Sequence, residues 1–297
     1  MKNPYIGISI SVISVSFAAI IVLFCDTSPL TISFYRLLFT TLLILPIIIF
    51  HKKTRIQILN ISLSNLCIMT IIGIILASHF ALWITSLTKT SVASSVILVT
   101  SHPILVGPIS YVFLKEKISK LNAFGVTFSV IGVITLVLGN YGLSNFRLDT
   151  LEGNILAFLG GIAAGLYILG GRKIRKNVSI FPYAFIVYSV ATITLFILCL
   201  IFNAPIINIS INDYQLIFLM ALIAGILGHT LYNWSLYYIK ASVASVFLLI
   251  EPIGSSILAY IIPSINQKPS IYTLIGGFII LSGIYLATQK TKNILNL

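Results

Sequence analysis

The sequence predicts an all-α integral membrane protein of ten transmembrane helices, built as two inverted-topology five-helix repeats. Three observations carry this reading. Ten apolar runs fill almost the whole chain, lysine and arginine gather in alternate loops, and the second half repeats landmarks of the first. The 297 residues are 58% hydrophobic and only 8% charged, with a mean hydropathy of +1.09. A water-soluble domain carries about 25% charged residues, so the composition excludes one.

A helix needs about 20 mostly apolar residues to cross a bilayer. Such runs cover residues 4–24, 30–50, 66–87, 91–113, 121–139, 153–171, 181–202, 215–238, 242–262 and 271–288. The first run follows Met1 and Lys2 as a secretory leader would. It is longer than the roughly 7–15 apolar residues of a leader and lacks a small-x-small cleavage site, so it is read as a span.

Positive charge sets the orientation. One side holds Lys2, then Lys52, Lys53 and Arg55, then Lys115, Lys117 and Lys120, then Arg172, Lys173, Arg175 and Lys176, and finally Lys240, Lys290 and Lys292. The other side holds Lys89, Arg147 and Lys268, while Arg36 falls within the second span. Cytoplasmic loops carry the excess of Lys and Arg, so both termini are predicted to be cytoplasmic, in the inner (plasma) membrane of a cell. Losing or adding one span early in the chain would scramble this alternation. Asp26, Asp149, Glu152 and Asp213 fall in outer loops, where acids weigh little in the rule.

The same clustering explains the formal charge of +12. Short basic loops face an anionic leaflet, and no nucleic-acid partner is expected. Cys25, Cys67 and Cys199 stand singly in or beside apolar runs, with neither disulfide-framework nor zinc-ribbon spacing.

The repeat appears when residues 82–103 are laid over 231–252. Leu82 meets Leu231, Trp83 meets Tyr232, Ser86 meets Ser235, Leu87 meets Leu236, Pro103 meets Pro252, and further on Tyr111 meets Tyr260. With a small insertion, Gly125 meets Gly276 and Gly132 meets Gly283. Each glycine pair lies two helical turns apart on one face, where small residues let helices approach closely. Five spans per half is an odd number, so the second half enters the membrane from the opposite side, as in inverted-repeat transporters with a midplane site. The expected organisation is a first repeat at 1–139, an external linker at 140–152, a second repeat at 153–290 and a cytoplasmic tail at 291–297.

Ser28-Pro29-Leu30 leads into Phe34-Tyr35-Arg36, Pro103 is followed by Phe113-Leu114-Lys115-Glu116, and Gly125 and Gly132 lie in the fifth span. Glu251-Pro252 with Gly276 and Gly283 echo these features in the second half. On these motifs the chain resembles, across essentially its full length, the EamA-type ten-span transporters of the drug/metabolite transporter superfamily. The resemblance implies alternating-access transport of small metabolites, commonly export, with both termini cytoplasmic. It also makes amino acids or related compounds the first expected cargo. The sequence departs from the family at Val12-Ile13-Ser14, where a tryptophan-glycine pattern is usual, and at Gln267, the counterpart of Glu116.

Ionisable residues inside a span are costly unless they face protein or water. Arg36, His79, His102, His229 and Glu251 are therefore the leading functional candidates. His102 and Glu251 occupy equivalent repeat positions, each directly before a proline (Pro103 and Pro252) that removes a backbone donor and suits a hinge. Desolvation opposes the charged form of each, and proximity to an opposite charge favours it, so either could couple a proton to substrate binding. The plainer reading has Glu251 bonding a neighbouring helix and His102 packing as a neutral ring. Arg36 lies about 9 Å inside the external end of its span at 1.5 Å per residue. It can snorkel outward as an interface anchor or contact a carboxylate or phosphate at a cavity mouth. His79, Trp83 and Ser86 share one helix face, and His229, Tyr232, Asn233 and Leu236 share another. Both faces suit a cavity for an amphipathic organic substrate, with helix packing as the alternative. Ser94, Ser95, Ser101 and Ser255 read as interhelical glue. Gly161 and Gly165 have the spacing of a homodimer seam, with packing inside one chain as the default.

An intramembrane metalloenzyme would need paired ligands at helical spacing, such as H-E-x-x-H, and none occurs. A channel would show a charged ring or carbonyl filter, and ATP hydrolysis would show a P-loop; neither pattern is found. No cofactor or metal is expected. The predicted partners are a small-molecule substrate, the lipid bilayer and protons. The rivals are a carrier of nucleotide-linked or sugar-phosphate metabolites and a membrane protein that does not transport.

Overall fold

Hydrocarbon offers a backbone no hydrogen-bond partner, so a spanning chain must bond to itself. In the computed structural model, which describes residues 3–90, 95, 98–141, 151–264 and 270–289, every apolar run is accordingly helical. The first three spans are Pro4–Val22, Pro29–Phe50 and Leu63–Ser86. The fourth is Leu98–Leu114 and the fifth Lys120–Tyr141. The sixth to eighth are Leu151–Arg175, Ile180–Ile201 and Ile211–Ser235. The ninth is broken into Ala241–Phe247, a narrow turn at Leu248–Ile250 and Glu251–Ile261, and the tenth is Ile271–Thr288. The chain is a ten-helix, multi-pass membrane protein.

Several starts are set locally. Ser28, Ser62, Ser210 and Ser270 each accept a hydrogen bond from a first-turn backbone amide, satisfying donors that a helix N-terminus otherwise leaves bare. Pro4 and Pro29 open the first two spans, where a missing N–H costs nothing. One helix was not expected: Lys52–Leu59, with Lys52, Lys53 and Arg55 exposed, fills the basic loop between the second and third spans. Eight residues are too few to register as a span. Residues 91–94 at the start of the fourth run, residues 142–150 of the linker, Lys2, Ser94, Arg147, Asp149, Gln267, Lys268, Lys290, Lys292 and the tail at 291–297 lie outside the described residues.

Helix packing obeys the repeat. The fifth span packs on the tenth, the second on the seventh and the fourth on the ninth. The third packs on the sixth as the eighth packs on the first, and the fourth packs on the sixth as the ninth packs on the first. Exchanging the two halves leaves this pattern unchanged, which is what a pseudo-twofold relation produces.

The fifth and tenth spans meet backbone to backbone. A Cβ added at Gly125 would lie 2.4 Å from the Ala287 amide nitrogen, and one at Gly132 would lie 2.8 Å from the Gly276 carbonyl oxygen. Reciprocally, a Cβ at Gly276 would lie 2.6 Å from the Gly132 carbonyl, and one at Gly283 would lie 2.7 Å from that of Gly125. The Asn122 amide donates to the Ala287 carbonyl at 2.8 Å across the same seam. Gly161 and Gly165 face the fourth span, against the Leu98 and Val99 carbonyls and the Leu105 and Val106 side chains. They serve packing within the chain, and a homodimer seam would have to lie elsewhere.

Gly132→Ala is expected to force the fifth and tenth helices apart at an overpacking cost of about 1–3 kcal/mol. A Cβ at Gly107 meets only Ile118 at 4.0 Å, so Gly107→Ala should be neutral or gain about 0.5–1 kcal/mol from helix propensity. Thermal unfolding in detergent should therefore show a lowered midpoint for the first variant and none for the second.

Candidate functional site

Three interruptions of regular helix converge on one cavity. Pro103 and Pro252 have no amide hydrogen to give, and helix restarts at His102 behind Ser101 in the fourth span and at Glu251 behind Leu248–Ile250 in the ninth. The eighth span is wound as a π-helix over Ala221–Thr230, a winding often found at functional sites. The Thr230 hydroxyl donates to the Gly225 carbonyl five residues earlier at 3.0 Å, and the Ser11 hydroxyl donates to the Gly228 carbonyl at 2.9 Å. The sequence reading treated residues 215–238 as a regular helix. Along the wider winding Gly225 seats closely on Thr40 and Gly228 on Val15, which are tertiary contacts.

Seven of the eight residues singled out from sequence line this cavity: Arg36, His79, Trp83, His102, His229, Tyr232 and Glu251. His79 Nδ1 lies 2.9 Å from the Gly160 carbonyl and His102 Nδ1 lies 3.2 Å from that of Thr100. A carbonyl only accepts, so each imidazole donates through Nδ1 and keeps Nε2 as an acceptor. The His79 ring lies parallel to Trp83, at 4° and 6.0 Å between centroids. Trp83 and Tyr232, equivalent in the repeat, both present a buried donor with no partner among the described residues, the indole Nε1 and the phenolic hydroxyl.

Arg36 departs from one of its two readings, that of an outward-reaching anchor. Its side chain is 1% exposed, its guanidinium carbon sits 4.5 Å above the Phe80 ring, and neither terminal nitrogen has a hydrogen-bond partner among the described residues. The second span is covered at that depth. Thr31 and Tyr35 bond to the Pro205 and Ile206 carbonyls in the loop after the seventh span, which leaves the arginine only the cavity to face.

Asn233 is the second correction. It is wholly buried behind the cavity wall, where its amide donates to the Tyr167 hydroxyl and, at 2.7 Å, to the His229 carbonyl. The π winding just before it puts His229 and Tyr232 on the wall and turns Asn233 into the bundle. Phe80 and Tyr167 line the cavity and were missed. An aromatic residue within an apolar span carries no mark that separates a cavity platform from ordinary packing. Phe80 in turn meets the His229 ring edge-on at 5.3 Å.

The sequence pattern of the EamA-like transporter family matches residues 4–138 and again residues 151–289. The chain belongs to this family. EamA-like relatives include the uncharacterized transporter YyaM of Bacillus subtilis, 24% identical over 266 residues that cover 88% of this chain and 85% of the relative. An uncharacterized transporter of Archaeoglobus fulgidus is 22% identical over 268 residues, 89% of either chain. A crystal structure of another protein superposes with a TM-score of 0.77 at 16% identity, over 95% of both chains, and shows the same fold. The protein is thus an EamA-like membrane transporter of small molecules.

Asn233→Leu should remove the hydrogen bonds that the Asn233 amide gives to the His229 carbonyl and the Tyr167 hydroxyl. Each buried group left without its partner costs about 1–3 kcal/mol. The variant is expected to melt well below the parent in detergent, whereas Tyr167→Phe, which removes only a hydroxyl, should fall less.

Proposed function

We propose that this EamA-like transporter is a secondary active carrier, an exporter or exchanger, of small organic metabolites, with amino acids and related zwitterions as its first class of cargo. It works by alternating access, two five-helix repeats rocking about the cavity described above. The repeats correspond to residues 1–139 and 153–290, joined by the external linker 140–152. Both termini lie in the cytoplasm beneath an inner (plasma) membrane, as the one-sided lysines and arginines support.

The observation that carries the cargo class is a set of unpaired donors. Arg36 offers both terminal nitrogens, Trp83 its indole N–H and Tyr232 its hydroxyl, all buried and all without a partner among the described residues. A buried charge without a partner is strongly unfavourable, so this arrangement suits a ligand that brings an acceptor. A guanidinium is a planar fork that matches a carboxylate in bidentate fashion. Glu251 lines the same cavity, yet the terminal nitrogens of Arg36 remain free of it. One carboxylate and one guanidinium left apart in a single cavity suit a zwitterion that engages both, its carboxylate on Arg36 and its ammonium on Glu251. The parallel faces of His79 and Trp83 supply a flat wall for the cargo's apolar part. A phosphate ester fits less well, because its dianion would lie beside Glu251 with Arg36 as its one lining cation. Glu251 and His102 are the groups assigned to proton coupling.

Purified protein in liposomes, offered a mixed metabolite pool at two pH gradients, should accumulate α-amino acids identified by mass spectrometry. Arg36→Lys keeps the charge and removes the fork. Loss of one bidentate contact is expected to lower flux at limiting substrate by about 10–100-fold, on the 1.5–3 kcal/mol of a charged hydrogen bond. Undiminished flux would overturn the carboxylate assignment. Glu251→Gln should abolish the pH dependence of any residual exchange, and an unaltered pH profile would remove Glu251 from coupling.

A further inference from the structure

The Phe113-Leu114-Lys115-Glu116 run takes no part in the cavity, yet it ends in a buried carboxylate. Lys115 closes the fourth span in the left-handed region at φ 53°, and the Glu116 amide turns back to the Ser110 carbonyl at 3.2 Å. That reversal carries Glu116 under the bundle, where it is 7% exposed. One of its oxygens accepts from Arg172 Nε at 2.6 Å, at the end of the sixth span. The other accepts from the Ala241 amide at 2.9 Å, at the start of the ninth. Arg172 also donates to the Leu236 and Tyr237 carbonyls, both at 2.7 Å, where the eighth span ends. Four cavity-lining spans therefore converge on a single ion pair at the basic end of the molecule.

The bonds divide unequally between the repeats. Arg172, Leu236, Tyr237 and Ala241 all lie in the second family match and Glu116 in the first. The bonds made by Glu116 cross the seam while those from Arg172 to the two carbonyls do not, so Arg172 stays oriented by its two carbonyls when the seam parts. At the opposite end, the third and sixth spans are tied by Lys89 and Glu152, whose side chains are 40% and 68% exposed. An exposed pair of this kind holds little, whereas a buried carboxylate bonded through both of its oxygens is costly to strand.

We infer that Glu116 and Arg172 form the gate of the transport cavity at its basic end, closed in this conformation and opened when Glu116 leaves Arg172 and the Ala241 amide together. The inference rests on the transport reading, but its first test needs no substrate. In a background with Cys25, Cys67 and Cys199 replaced, Ala164→Cys places one thiol on the cavity wall. A membrane-impermeant thiol reagent is then applied from either side of oriented vesicles. Glu116→Gln is expected to raise the labelling rate from the basic side by about tenfold, the ratio that one charge-assisted hydrogen bond supports. An unchanged rate in folded, monodisperse protein would overturn the gate, whether or not a cargo has been found.

A second measurement leaves the ion pair intact. The Lys240 ammonium reaches the Lys117 carbonyl at 2.7 Å across the same seam. Lys117→Cys with Lys240→Cys, joined by a short bifunctional thiol reagent with a cleavable disulfide, should stop exchange and release it on reduction. Flux that continues with the cross-link complete would also overturn the proposal.

Discussion

The rest of this structure depends on one constraint: a backbone in hydrocarbon has only itself to bond to. The apolar runs become helices for that reason, and departures from regular helix are confined to places where protein or water supplies what lipid cannot. The breaks before Pro103 and Pro252 and the π winding at Ala221–Thr230 all border the cavity. Irregular backbone and ionisable side chains thus collect in one place for the same physical reason.

The two halves are joined by seams of contrasting character. Between the fifth and tenth spans, glycines bring backbone onto backbone, and close-packed contacts of this kind have no intermediate positions to occupy. Between the fourth span and the ends of the sixth and ninth, at the basic end, the seam includes two hydrogen bonds to one carboxylate. Polar contacts can be exchanged for water without leaving a void, which interlocked glycines cannot do. A rigid hinge line and a separable edge are what rocking repeats require.

Inside the cavity, aromatic rings govern how charge is presented. Phe80 holds the Arg36 guanidinium by its face, an attraction that satisfies the cation's field in part and consumes none of its N–H donors. A carboxylate in place of Phe80 would pair the arginine and close it to ligands. His79 and His102, each anchored through Nδ1 to a backbone carbonyl, hold their rings in fixed orientations.

The sequence by itself determined the ten spans, their repeat, their family and the identity of the polar residues at membrane depth, because each depends on composition along a local stretch. Seven of eight proposed cavity residues could be named from it, since an ionisable or polar group in an apolar run has few places to go. What the tertiary structure decided was direction. Arg36 turns inward because the loop after the seventh span covers its helix end and Phe80 lies beneath it. Asn233 turns away because π winding, in a stretch whose glycines seat on the first and second spans, shifts the phase of the eighth helix. Arg172, counted in the sequence with the basic loops, is instead a buried partner of Glu116 on the last turn of its helix. Helical spacing fixes which residues share a face. Which way that face points depends on partners far away in the chain, and no local pattern records them.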